Sequence, residues 1–203
     1  MAILRLYENS GLTTLVTLDG DYANPDDESS LDGTSGVTSI KALWVAPEQT
    51  TLAEILDDSE TAIDITAARF ADTDYPVIII DSEKMLITAG FGTTTLTVIR
   101  GHNSTTAATH TNGTAILAAY DFTSITIDGQ DNTGTDESGW LTYGDDDGGG
   151  SPDGSWAAPH TVSNIAYNSS QAIHRRVIVP SSTPAEYKRD LLHRLVATIN
   201  ETT

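Results

Sequence analysis

The chain of 203 residues contains no cysteine, which excludes a disulfide framework, a thiolate zinc site and a thiol nucleophile together. Bases are nearly as scarce: 10 Lys and Arg stand against 29 Asp and Glu, only Lys41, Lys84 and Lys188 are lysines, and the formal net charge is −19. Phosphate backbones are held by clustered Lys and Arg, so nucleic acid is not an expected partner, and an anionic membrane surface is disfavoured on the same ground. No run approaches the roughly 20 apolar residues that span a bilayer as a helix, and MAILRLYENSG at the start has too short an apolar core for a signal peptide, so no membrane insertion is expected. Gly-x-Ser-x-Gly, His-Glu-x-x-His and a phosphate-cradling Gly loop with Lys are all missing. Two carboxylates suffice for glycoside hydrolysis. Those present lie in polar loops and not beside aromatic clusters, so the chain is expected not to be an enzyme.

What is present is an ordinary apolar content, 38%, enough for a folded body of one sandwich or two small domains. The pattern is that of strands. Ile3 to Tyr7 and Leu12 to Leu18 flank a polar turn, Glu8-Asn9-Ser10-Gly11, as a hairpin does. Asp19 to Gly36 is turn chemistry, and Thr38 to Ala46 is again extended, with Trp44 inside it. After a boundary at Pro47, Thr50 to Asp58 has helical spacing in Leu52, Ile55 and Leu56, whereas Ala62 to Thr66 alternates like a strand. Val77 to Ile80, Met85 to Thr88 and Leu96 to Ile99 are short apolar segments separated by Asp81-Ser82 and Gly90 to Thr94, which predicts an antiparallel meander. Phe122, Ile125 and Ile127 sit among polar residues as a half-buried strand, and Trp140 to Tyr143 is a short one. Asp145 to Gly154, DDDGGGSPDG, has no apolar residue and is the tip expected to be mobile. Trp44, Trp140 and Trp156 are expected as core or inter-sheet anchors, with one of them a candidate interface residue.

The run IIIDSEKMLITAGFGTTTLTVIRGHNSTTAATHTNGTAI resembles a small β module that recurs in structural proteins of tailed viruses. Glu83, Met85, Leu86, Leu96, Val98, Arg100, Gly101, Thr105, Thr106, Ala107, Ala108, His110 and Gly113 carry the resemblance, which implies β structure back to about Leu52 and an end near Ala118. The later arrangement, DNTGTDESGW, a Gly-rich loop, IHRRVIVP, a Pro-containing loop and a final Leu/Arg/Ala segment, is similar to a β-sandwich of other virion proteins, with His174 where an aromatic is commoner. The C-terminal segment is read in two ways. Ser182 or Thr183 as cap, Pro184 at the first helical position and Tyr187, Leu191, Leu195 and Ile199 at helical spacing describe a helix. The sandwich resemblance instead makes Asp190 to Ile199 a closing strand with Leu191, His193, Leu195 and Ala197 on one face, and the N-terminal strands need such a partner. The expected fold is therefore all-β: a sandwich of residues 1–48 and 119–203, with the small module, 49–118, inserted at a loop tip, as insertion tolerates when the ends lie close together.

The acidic, lysine-poor, cysteine-free composition resembles that of proteins from halophilic archaea and their viruses. Its charges repel over a Debye length of roughly 10 Å in dilute buffer, which shrinks to about 3 Å at molar salt. With the module resemblance, this implies a non-enzymatic virion component of a tailed, haloarchaeal virus: a tail-tip or baseplate adaptor that self-associates and docks other virion proteins. A capsid decoration or turret protein and a cell-surface glycan-binding module are the alternatives.

Candidate sites are few. His102 and His110, flanking Ser104, have metal-ligand or base chemistry but no third ligand at useful spacing, and the module resemblance implies a structural turn in which His110 packs or caps. Asp145, Asp146, Asp147 and Asp153, like Asp19, Asp21, Asp26 and Asp27, offer oxygen ligands to calcium without the spacing of a calcium loop. Weakly bound cations are expected and no cofactor. Arg100 is expected to pair with Glu83 across the sheet. Arg175, Arg176 and Trp156 are interface candidates, and an internal salt bridge is the other role open to the two arginines.

Overall fold

The computed structural model describes residues 3–16, 26, 31–131, 137–184 and 191–203. With 51% of residues in strands and no α-helix among those described, the protein is all-β. Its strands in chain order are β1 (Leu4–Tyr7), β2 (Leu15–Val16), β3 (Val37–Pro47), β4 (Gln49–Thr51), β5 (Ala62–Asp64), β6 (Val77–Ile80), β7 (Glu83–Ala89), β8 (Thr95–Ile99), β9 (Ala115–Ala118), β10 (Tyr120–Asp131), β11 (Leu141–Asp145), β12 (His160–Val162), β13 (Gln171–Val179) and β14 (Leu191–Glu201). They form three antiparallel sheets.

A five-stranded sheet, ordered β11-β13-β3-β1-β2, and a three-stranded sheet, ordered β12-β10-β14, take their strands from both ends of the chain. Leu43, Val45, Ile173 and Val177 of the first and Phe122, Ile125 and Ile127 of the second are buried in one hydrophobic cluster, as the inner faces of a sandwich are. In β10 the inward residues skip from Phe122 to Ile125, one position more than the strand period allows. A bulge supplies the extra residue: the register against β14 shifts between Thr123 and Thr126, and Ser124 takes φ 51°.

The six-stranded sheet, ordered β4-β9-β6-β7-β8-β5, draws every strand from Gln49 to Ala118. It curls until its edges touch. Leu52 and Ile65 form an antiparallel bridge, flanked by Ala53 N–H to Asp64 O at 2.9 Å and Thr66 N–H to Thr51 O at 3.0 Å. Ile63, Ile78, Met85, Leu96 and Ile116 fill the inside of the curl. All four residues of β6 are buried, which is what an unbroken Val-Ile-Ile-Ile run with no polar face requires. The β7–β8 turn depends on Gly90 at φ 81°, where a Cβ would lie 2.2 Å from the Thr95 carbonyl oxygen.

The chain passes between the sheets at Glu48 and again at Ala119, and the two crossings run side by side. Ala118 N–H donates to Glu48 O at 2.9 Å, Glu48 N–H to Ile3 O at 2.6 Å and Ala119 N–H to Val77 O at 3.0 Å. At the C-terminal end, Leu191 to Glu201 is a strand registered against β10 from Tyr120 to Asp131. Helical spacing is overruled there because β10 has a second edge to pair, and because Leu195, Ala197 and Ile199 pack on the core from one face of β14. Ala185 to Asp190, which include Tyr187 of the helical pattern, lie outside the described residues. One further expectation is corrected: Trp140 lies in a short 3-10 turn, Ser138–Trp140, ahead of β11. Trp140 is half-buried and packs against the core, and Trp44 and Trp156 are half-buried.

Candidate functional site

Among the described residues, three ionic knots lie inside the protein, each centred on one carboxylate. The first closes the curled sheet. Glu83 begins β7, and the β7–β8 pairing, which sets Leu86 opposite Ile99, brings Arg100 beside it. Arg100 donates Nε to Glu83 Oε1 at 2.7 Å and Nη2 to Oε2 at 2.8 Å. Its other N–H groups reach the carbonyls of Asp57 at 2.7 Å, Glu60 at 2.9 Å and Ala108 at 2.6 Å, so all five guanidinium donors are used. The carboxylate also accepts from Gly101 N–H at 3.0 Å, Ala108 N–H at 3.0 Å and His110 Nε2 at 2.9 Å. His110 Nδ1 meets Asp81 Oδ2 at 2.7 Å. Burial pushes the Glu83 carboxyl up, but Arg100, His110 and the two backbone donors outweigh it and leave the pKa at about 2. The expected Arg100–Glu83 pair is present, and His110 is a packed, hydrogen-bonded part of it. His102 lies apart in a 3-10 turn, His102–Ser104.

The second knot ties the two sandwich sheets together. Asp26 accepts from Arg175 Nε at 2.8 Å and Nη2 at 3.0 Å, from Lys41 Nζ at 2.7 Å and from His193 Nε2 at 3.0 Å. Lys41 also reaches Glu8 at 2.6 Å, and Tyr143 O–H lies 2.8 Å from His193 Nδ1. Burial pushes the Asp26 carboxyl up, yet His193 and Arg175 hold it far below the usual carboxylate range. Burial first, and the Asp26 charge second, push the Tyr143 hydroxyl well above its ordinary value.

The third knot sits where the chain passes from β3 to β4. Glu48, 1% exposed, accepts from Arg5 Nη2 at 2.7 Å and from Phe70 N–H at 3.0 Å, joining the five-stranded sheet to the curled one. Tyr7 donates to Pro47 O at 3.2 Å, and burial with the nearby Glu48 charge raises its pKa to about 12.

The acidic loop after β11 is braced from within. Asp146 accepts from His174 Nε2 at 2.9 Å and Gly148 N–H at 2.8 Å; Asp147 accepts from Gly149 N–H at 2.7 Å; Asp153 caps Ser155 N–H at 2.8 Å. Asp145 meets His160 Nε2 at 3.2 Å, and an isolated bridge joins Asp146 to Pro152. The loop expected to be a mobile tip is thus tied by its own carboxylates. Among the described residues no three His, Cys, Asp or Glu side chains are grouped as metal ligands. Of the other acidic run, Asp26 lies in the second knot, while Asp19, Asp21 and Asp27 fall outside the described residues.

Arg175 and Arg176 separate completely. Arg175 is 1% exposed and paired with Asp26, which is the internal salt bridge. Arg176 projects from the opposite face of β13, donates Nε to Thr142 Oγ1 at 3.0 Å and lies with its guanidinium carbon 4.4 Å from the Trp156 ring centre. Ile40, paired with Arg176 in register, and Ile178 are exposed on this sheet. The knot residues that sequence reasoning missed, Asp26 with Arg175 and Glu48 with Arg5, lie 149 and 43 positions apart. The one signal for them was scarcity: where bases are few, a buried arginine needs a buried acid.

No protein-family model matches the chain, no curated protein matches it in sequence, and no solved structure matches it. The class defined by the fold is an all-β protein of three antiparallel sheets with ionic knots between and within them.

Proposed function

We propose that the chain is a non-enzymatic structural protein of the virion of a tailed, haloarchaeal virus, where it serves as a tail-tip or baseplate adaptor that self-associates and docks other virion proteins. One observation carries this. Glu83, Arg100, Gly101, Ala108 and His110, which bear the resemblance to the virion module, converge in a knot whose donors and acceptors are satisfied inside the protein. A motif used up in this way specifies a folding unit and leaves no group directed at a substrate. The carboxylate excess supports the halophilic part of the proposal, because a charge of −19 is tolerated best where salt screens it.

Antibody labelling of purified particles in electron micrographs tests the proposal. Label at the distal end of the tail is the expected result. Label over the capsid would replace the adaptor role with decoration or a turret, and particles without label would remove the virion assignment.

A further inference from the structure

Among the described residues each sheet has two edges, and all but one are blunted in the ways that edges are in stable monomers. β2 has two residues and β12 three. β4 and β5 touch each other through Leu52 and Ile65, and β11 is bridged by Ala157 at Tyr143. β14 differs. It is 11 residues long, and among the described residues it pairs on one side only, with β10. In a chain with 29 acidic residues, Leu191 to Asn200 contains no carboxylate and one arginine, Arg194. Val196 is 47% exposed, and Leu195, Ala197 and Ile199 remain half-buried beside Leu4, along a shallow slot at this edge.

The backbone direction at this edge follows from the hydrogen bonds. Phe122 exchanges both its N–H and C=O with Ile165, at 2.8 and 3.0 Å. The backbone groups of its cross-strand neighbour Ile199 therefore point away from β10. By strand alternation so do those of Ala197, Leu195 and His193. Four N–H groups and four carbonyls face outward along one line.

We propose that β14 is a self-pairing edge: two copies of the chain join antiparallel through it, about a two-fold axis at Val196. This gives the self-association in the preceding proposal its surface and rests on that proposal. In this register Leu195 exchanges hydrogen bonds with Ala197 of the second copy, and His193 with Ile199. Val196 faces Val196 as a non-hydrogen-bonded pair, Arg194 faces Thr198 and Leu192 faces Asn200. No like charges are opposed, because the stretch is free of carboxylates. The two three-stranded sheets become one of six strands, ordered β12-β10-β14-β14-β10-β12, and the contact is closed and isologous.

The absence of cysteine makes the test clean. Val196→Cys places the sole thiol on the axis, where Cα atoms about 4.5 Å apart in a non-hydrogen-bonded pair suit a disulfide. Oxidation of the full chain in molar KCl is expected to give a covalent dimer on non-reducing gels, whereas Ile178→Cys, exposed on the other sandwich sheet, gives none. Ala197→Pro removes an outward N–H and leaves the β10 ladder whole. It is expected to weaken dimerisation in sedimentation by roughly tenfold to hundredfold. If the parent chain sediments as an oligomer, but Val196→Cys does not cross-link and Ala197→Pro changes nothing, the β14 pairing is overturned while self-association stands. A parent chain that stays monomeric at high concentration in molar KCl overturns both.

Discussion

Glu83→Gln is the substitution whose cost the structure determines most fully. The amide keeps the size of the carboxylate but removes its charge, and it turns an NH2 group toward donors: Arg100 Nη2, Ala108 N–H and His110 Nε2 all lie on Oε2. The Arg100 side chain is only 6% exposed, so its charge is left buried without a counter-ion. Breaking a buried pair from one side costs about 3–5 kcal/mol, a large share of a total stability of roughly 5–15 kcal/mol. Urea unfolding at fixed salt, followed by far-ultraviolet circular dichroism, measures the loss. The companion double variant, Glu83→Leu with Arg100→Met, removes both charges. It is expected to be less destabilised than the sum of its single variants by about 2–3 kcal/mol, since the unpaired ion is gone. It does not return to the parent stability, because the carbonyls of Asp57, Glu60 and Ala108 lose their donors. A cost below about 1 kcal/mol for Glu83→Gln, or strict additivity in the cycle, refutes the knot as the lock of the curled sheet.

The depressed pKa of Glu83, from 4.5 to about 2, gives stability that is present above pH 4.5 and lost as pH falls from there toward 2. The difference in unfolding free energy between the parent and Glu83→Gln should shrink by about 3 kcal/mol across that window, and a constant difference would contradict it. Asp26→Asn leaves Arg175 buried and half-paired, and is expected to cost about 3–5 kcal/mol in the same urea assay. Tyr143→Phe removes the hydroxyl bond to His193 and is expected to cost about 1 kcal/mol. Trp156→Ala, which ends the stacking under the half-buried Arg176, is expected to change stability by no more than about 1 kcal/mol, in contrast to the knots.

How far the sequence reaches depends on the distance over which each feature is specified. Thr95 to Val98 alternates polar and apolar residues, and the fold places Leu96 and Val98 inside with Thr95, Thr97 and Ile99 out. Glu83 and Arg100 were legible as partners because adjacent strands joined by a Gly turn bring them together. Leu191, Leu195 and Ile199 fit a helix and a strand equally well by spacing, and only the partner strand β10 decides between the two. Asp26 was indistinguishable from the other acids of its turn-rich segment. Its role is set by Arg175, Lys41 and His193, which arrive from three other strands. The bulge at Ser124 was also silent, although the extra residue between Phe122 and Ile125 is its trace in the sequence.

The central claim is that this chain is an acid-coated building block that assembles with itself where salt is concentrated. Analytical sedimentation across a KCl series from dilute to molar tests it in one experiment. The account predicts a discrete homo-oligomer that forms as the Debye length falls from roughly 10 Å to about 3 Å, with unfolding shifted to higher urea over the same range. A monomer at every salt concentration, equally stable throughout, would contradict it.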